Sequence, residues 1–266
     1  MNSATGQNGH SENKKQNIKI MVNNPKHDPL IVALDVPCWD KARNLVRDLG
    51  NQVGYYKVGL QLFVRCGPRI VQHLKDLNKK VFLDLKFKDI PNTVSESVAS
   101  AARIGATMCN IHLDGTRPMI HAAVESGFAH KITILGVTVL TSVKEDNDLR
   151  EIGVNFFDTN FFIQKQVMLL ASLAKDEEVQ GLVCGAPQIS SLKDRFGDFF
   201  TLVVPGTRSK GVATNDQNQV MTPEEAIATF RGNPDYLVIG REVTRPANGT
   251  PLQALMSLRE RLDLEI

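Results

Sequence analysis

Between Val81 and Val94 the chain reads VFLDLKFKDIPNTV, an apolar β-type run that ends in Asp84, Lys86 and Asp89 with the spacing D-x-K-x-x-D. Residues i and i+2 of a strand share a face, so Asp84 and Lys86 are expected to point the same way before Pro91 turns the chain into a helical pattern. Burying such charges without partners is costly, which favours a reactive site over a packing role. The alternative is a solvated salt-bridge cluster at a strand end. Lys57, in GYYKVG, ends a neighbouring run, so that two lysines and two carboxylates could alternate. An opposite charge within ~4 to 6 Å favours the ionised form of each partner. Lys86 then reads as a general acid and not as a Schiff-base amine, because the latter needs apolar surroundings to lose its proton.

These charges need elements to hold them. From Leu30 onward, eight strand candidates recur: LIVALDV, GYYKVG, VFLDLK, MCNIHL, ITILGVTVL, GLVCGA, FTLVVPG and DYLVIGR. Helical spacing fills most of the gaps, at Trp39 to Leu49, Leu60 to Leu77, Thr93 to Ile104, Pro118 to Ser126, Phe161 to Lys175, Gln188 to Phe196, Pro223 to Phe230 and Leu252 to Leu262. Continuous apolar strands alternating with amphipathic helices imply a parallel sheet covered by helices. Eight such units predict an α/β fold of one domain, a closed (β/α)8 or TIM barrel, over residues 29–266. A doubly wound open sheet is the alternative, but no G-x-G-x-x-G or G-x-x-x-x-G-K-[ST] follows the first strand. In a barrel, functional side chains sit at the C-terminal strand ends, where Asp35, Lys57, Asp84, Lys86, Thr141, Arg208 and Arg241 fall.

The segments PGTRSKG (Pro205 to Gly211) and VIGREVTR (Val238 to Arg245) follow the last two strands, where barrels commonly bind phosphate. Gly206 and Gly240 would let the backbone approach an anion, while Arg208 and Arg241 could supply charge-assisted hydrogen bonds. A phosphorylated substrate is expected.

Composition narrows the remaining classes. With 31 basic and 29 acidic residues the net charge is only +2, so no global field points to nucleic acid or an anionic membrane. Cys38, Cys66, Cys109 and Cys184 are scattered without a C-x-x-C pair, which fits reduced thiols in a cytoplasmic protein. The six histidines show no metal-site spacing, and no metal or cofactor is expected. No apolar stretch approaches the ~20 residues of a membrane span. Residues 1–28 are polar and weakly patterned, and are expected to form a mobile extension.

Taken in order, LDV with Asp35, YKVG with Lys57, DLKFKDIPNTV, NIH at Asn110 to His112, GVTVLTS at Gly136 to Ser142, PGTR, NDQ at Asn215 to Gln217, MTP at Met221 to Pro223, and VIGR make the chain resemble the orotidine 5′-monophosphate decarboxylases of the bacterial type. The resemblance runs from about Leu30 to the C-terminus. It implies a cofactor-free enzyme that converts orotidine 5′-monophosphate (OMP) to UMP, the last step of de novo pyrimidine nucleotide synthesis, with Lys86 as proton donor to C6 and Asp84 facing the substrate carboxylate. It further implies ribose contacts from Asp35 and Lys57, and pyrimidine contacts from Thr141 and Ser142. The phosphate grip would come from Pro205, Arg208, Gln217, Gly240 and Arg241. In that family Asp89, Ile90 and Thr93 reach into the neighbouring subunit's site, which implies a homodimer with shared active sites. The chain departs from the usual pattern at Val204 and Thr207, where Thr and Ile are common, at Gln219, commonly Arg, and at Thr116, commonly Gly.

Two rivals remain at this level. Sugar-phosphate lyases such as hexulose-phosphate synthase share D-x-K-x-x-D but use a divalent metal and usually carry Glu where Lys57 stands. A protonated lysine is no metal ligand, so Lys57 favours the metal-free reaction. A catalytically silent phosphate-binding barrel is the second rival, and the intact set of charged positions argues against it.

Overall fold

Each of the eight apolar runs becomes a strand in the computed structural model, which describes residues 27–141, 159–207, 209, 221–231 and 234–264. The strands are β1 (Leu30–Ala33), β2 (Tyr55–Gly59), β3 (Lys80–Phe87), β4 (Met108–His112), β5 (Thr133–Val137), β6 (Gly181–Val183), β7 (Thr201–Pro205) and β8 (Tyr236–Ile239). Every strand pairs in parallel with the next, and β8 returns to β1 through Leu30↔Leu237, Ile31↔Val238 and Val32↔Ile239, closing the barrel. The open-sheet alternative is thereby excluded.

Continuous apolar strands arise because both faces are buried. On β1, Ile31 and Ala33 point inward to a barrel filling that includes Tyr55, Phe82, Met108, Leu135 and Val203, whereas Leu30 and Val32 pack outward under the helices. The floor is tied off by the edge-on rings of Tyr55 and Tyr236, 5.5 Å apart, and by His27, whose Nε2 lies 3.0 Å from the Asp235 carbonyl. Asp28 accepts a hydrogen bond from Arg259, so the barrel already holds the chain two residues before β1. Deeper in the same floor, Lys193 Nζ and Asp235 Oδ2 form a buried ion pair at 2.8 Å, and Asp235 Oδ1 also accepts the Leu202 N–H at 2.7 Å.

The helices of the described residues are α1 (Trp39–Leu49), α2 (Leu60–Cys66), α3 (Arg69–Asp76), α4 (Pro91–Arg103), α5 (Arg117–His130), α6 (Thr159–Asp176), α7 (Ile189–Phe196), α8 (Pro223–Ala228), α9 (Arg241–Thr244) and α10 (Pro251–Arg261). One expectation needs correction: the helical pattern over Leu60 to Leu77 is two helices. Gly67 takes the left-handed conformation at φ 62°, and Pro68 has no N–H with which to continue α2. The short α9 was not expected, since four residues carry no periodic pattern. Among the described residues, no helix is long and apolar enough to cross a membrane.

Candidate active site

The charged side chains converge where β1, β2 and β3 end together. Gly59 of β2 pairs with Asp84 of β3, and Ala33 of β1 with Lys57 of β2, so ordinary parallel register brings the three carriers side by side. Lys57 Nζ donates to Asp35 Oδ1 at 2.9 Å and lies 3.4 Å from Asp84 Oδ2. Lys86 Nζ donates to Asp84 Oδ1 at 2.6 Å. The result is an unbroken line Asp35–Lys57–Asp84–Lys86. Asp84 Oδ1 also accepts from Asn110 Nδ2 at 2.7 Å.

Lys86 does not reach this line by simple strand alternation. Its φ of 53° is left-handed, and pairing with β4 jumps from Leu83↔Cys109 to Phe87↔Ile111, so β3 advances four residues while β4 advances two. This is a bulge, a device that re-aims a side chain near a site. The expected convergence of Asp84 and Lys86 is therefore present, through broken pleating and not through it.

Charge balance sets the ionisation of the inner pair. Burial alone would raise the Asp84 pKa, but the ammoniums of Lys57 and Lys86 and the bonds from Lys86 and Asn110 outweigh it, and the carboxyl lies below its usual range. Burial likewise pulls Lys57 down, and Asp84 and Asp35 more than reverse it, leaving its pKa above the ordinary lysine value. The signs predict a stability window. A carboxylate with a depressed native pKa contributes fully above about pH 4 and loses its contribution as pH falls through the native value. A lysine with a raised native pKa contributes fully below about pH 10 and loses it as pH rises through its native value. The stability gap between the parent and Asp84→Asn in urea unfolding should then be flat from about pH 5 to 9. A gap that instead widened as pH fell from 6 to 5 would show the Asp84 carboxyl raised and not depressed.

The array lines a cavity of about 520 Å³ whose lining also includes the apolar side chains of Val137, Val139, Val183 and Val238. Such a slot suits a flat heterocycle with charge on one edge. Pro205, Gly206, Gly240 and Arg241, from the ends of β7 and β8, line it too. Gly206 has φ 88°, a conformation that side-chain-bearing residues rarely adopt, which explains glycine after Pro205. Gly240 is the N-cap of α9 and Arg241 its first residue. Cys184 also lines the cavity, but burial pushes its thiol up to about 12, so it is no nucleophile.

Of the expected residues, the cavity therefore gathers Asp35, Lys57, Asp84, Lys86, Thr141, Pro205, Gly240 and Arg241. Ser142, Arg208, Gln217 and Gln219 lie outside the described residues. Asp89, Ile90 and Thr93 do not line it: all three are exposed, Ile90 by 67%. Thr93 borders a separate cleft of about 510 Å³ on the outer side of β3, with Leu85 and Phe87. Three residues went unassigned by sequence reasoning. Arg245 lines the cavity and donates Nη2 to the Asp35 carbonyl at 3.1 Å; Gln61 lines it from α2; and Asn110 sits beneath Asp84. The signal for Asn110 was an amide between the apolar residues Cys109 and Ile111 of the strand MCNIH.

Comparison with known proteins adds independent findings. Residues 28–255 match the family model described as "Orotidine 5'-phosphate decarboxylase / HUMPS family". The orotidine 5′-phosphate decarboxylase of Saccharophagus degradans is 40% identical over 231 residues, 86% of this chain and 92% of that protein. That of Idiomarina loihiensis is 43% identical over 224 residues, 83% of this chain and 93% of that protein. Among solved structures, orotidine 5′-phosphate decarboxylase from Lactobacillus acidophilus superposes with a TM-score of 0.73 at 30% identity, covering 88% of this chain and 99% of that one.

Proposed function

The chain belongs to the orotidine 5′-phosphate decarboxylase / HUMPS family, and from that premise we propose that it decarboxylates OMP without metal or cofactor, with Lys86 protonating C6. The activity, OMP to UMP in pyrimidine synthesis, is that of a carboxy-lyase whose bacterial homologues are about 40% identical over most of the chain. The observation that carries the residue roles is the Asp35–Lys57–Asp84–Lys86 line in the lining of the cavity.

In this reading the C6–carboxylate bond breaks, CO₂ leaves, and the electron pair stays on C6 in an sp² orbital that the ring π system cannot delocalise. A fixed ammonium is the appropriate stabiliser, because charge develops at C6 in the transition state. Lys86 Nζ then delivers a proton to C6 and is reprotonated from water. Asp84 faces the departing carboxylate, and two like charges at ~4 Å repel by about 4 kcal/mol at an effective dielectric near 20. That supplies only part of the barrier reduction. The remainder comes from stabilising C6 and from binding energy at the phosphate, remote from the reacting bond. Asp35 and Lys57 hold the ribose hydroxyls, Thr141 and Ser142 the pyrimidine, and Pro205, Arg208, Gln217, Gly240 and Arg241 the phosphate. Lys57 also separates this chemistry from that of a metal-dependent sugar-phosphate lyase, since an ammonium held protonated by two carboxylates offers no lone pair.

Asp89, Ile90 and Thr93 complete the partner's site in a homodimer. Their exposure beside the end of β3 supports this, since burying an exposed isoleucine against a second copy is favourable by ~1.5–3 kcal/mol. Residues 29–266 constitute the catalytic domain and residues 1–28 an extension to it. Cytoplasmic residence belongs to the same reading, and the four free cysteines are compatible with it.

The test is the loss of OMP ultraviolet absorbance with EDTA-treated protein, with UMP assayed in parallel. Metal-independent conversion is expected. Loss of activity on chelation, restored by Mg²⁺, would overturn the metal-free mechanism. In the same assay Arg241→Ala should raise KM roughly 10- to 100-fold, the equivalent of one charge-assisted hydrogen bond. An unchanged KM would remove Arg241 from the phosphate grip.

A further inference from the structure

Asn110 is a polar residue at 0% exposure in β4, facing the barrel interior one step above Met108 of the inner core. Its two amide atoms serve two different catalytic groups. Oδ1 accepts the backbone N–H of Lys86 at 2.7 Å, and Nδ2 donates to Asp84 Oδ1 at 2.7 Å. The first bond falls inside the bulge, where β3 has left its register with β4 and the Lys86 N–H has lost a ladder partner. A buried N–H left unpaired is destabilising, and so is a non-glycine residue held at positive φ. Asn110 removes the first of these costs, and so makes the second tolerable.

An amide is suited to this position for a definite reason. It presents one acceptor and two donors on a short planar arm, so it can receive from the lysine backbone while donating to the carboxylate. Aspartate would set a second carboxylate against Asp84. Leucine has nearly the same shape and would serve neither partner. Both ends of the Lys86–Asp84 contact are thus referenced to one rigid side chain on the neighbouring strand.

We propose that Asn110 is a positioning residue for the decarboxylation, locking the Lys86 backbone in its left-handed conformation and the Asp84 carboxylate in the orientation from which the two act on opposite ends of the breaking bond. The inference rests on the roles proposed above for Lys86 and Asp84. It differs from a packing role in what it predicts: loss of the amide should lower kcat, while ribose and phosphate contacts, made elsewhere, keep substrate affinity.

The experiment compares Asn110→Leu, Asn110→Asp and Lys86→Ala with the parent, measuring kcat and KM for OMP. Calorimetric titration with UMP counts competent sites, so that the rate is expressed per folded site and a partly unfolded sample does not mimic the effect. Asn110→Leu is expected to lose about 100-fold in kcat, the scale of an ångström-size misplacement, with KM within threefold and UMP stoichiometry intact. Asn110→Asp keeps an acceptor for the Lys86 N–H and provides the test should the leucine variant not fold. It is expected to lose at least 10-fold in kcat per site. Parental kcat in either folded variant, or a loss confined to KM, overturns the proposal. If Lys86→Ala is itself near parental, the catalytic reading fails first; if Lys86→Ala is dead and the Asn110 variants are normal, only the present inference fails.

Discussion

Replacing Lys86 by alanine is expected to reduce OMP turnover by about 10⁴-fold or more, with UMP binding retained. The magnitude follows from two losses at one atom. A positioned general acid is worth about 10²- to 10⁴-fold, and an electrostatic donor aimed at developing charge about 10²- to 10³-fold. The other lysine of the array, Lys57, does not take its place, because it is already held between Asp35 and Asp84 at 2.9 and 3.4 Å. Binding should survive because the proposed ribose and phosphate contacts come from other side chains. The variant also leaves Asp84 with Lys57 and Asn110 as partners, so the carboxylate is not stranded. The check is single-turnover conversion of OMP beside calorimetric binding of UMP. Turnover within tenfold of the parent would remove Lys86 from proton transfer. Failure to bind UMP would mean that the substitution had disrupted the site as a whole.

Much of this arrangement was legible before the structure. The eight strands could be read because two-sided burial makes each a short unbroken apolar run, and the charged strand ends stood out against those runs. The turn after β7 stood out for a related reason: Gly206 needs a backbone conformation that glycine accommodates, and it sits between Pro205 and a basic segment. What could not be read is what depends on one strand's register against another. The bulge at Lys86 has no local marker, since positive φ at a lysine is imposed by Asn110, 24 positions later. The break between α2 and α3 did have a marker, Gly67-Pro68, which the apolar spacing on either side obscured. Arg245 reaches the cavity only because four residues of α9 turn the chain back toward Asp35, and so short a helix leaves no periodicity.

Mixing two inactive variants should restore activity, and this follows from the positions of Asp89 and Lys86 on the same chain. Lys86 faces this chain's cavity, whereas Asp89, three residues on, is exposed and lies outside it, its Oδ1 accepting the adjacent Ile90 N–H at 2.7 Å. Pro91 then starts α4, which carries the chain away from the cavity. If Asp89 serves the partner's site, Lys86→Ala and Asp89→Ala homodimers are each defective at both sites. In a mixed dimer one site collects both defects, while the other receives an intact Lys86 from one chain and an intact Asp89 from its partner. Random exchange of equal amounts makes about half of all dimers mixed, each with one sound site, so activity should recover to roughly a quarter of the parental value. Native mass spectrometry would confirm that mixed dimers formed, and the OMP assay would be run on the same sample. Mixed dimers without recovered activity would show that Asp89 acts in its own chain's site or in neither. A chain that remained monomeric at assay concentrations while fully active would remove the shared-site reading altogether.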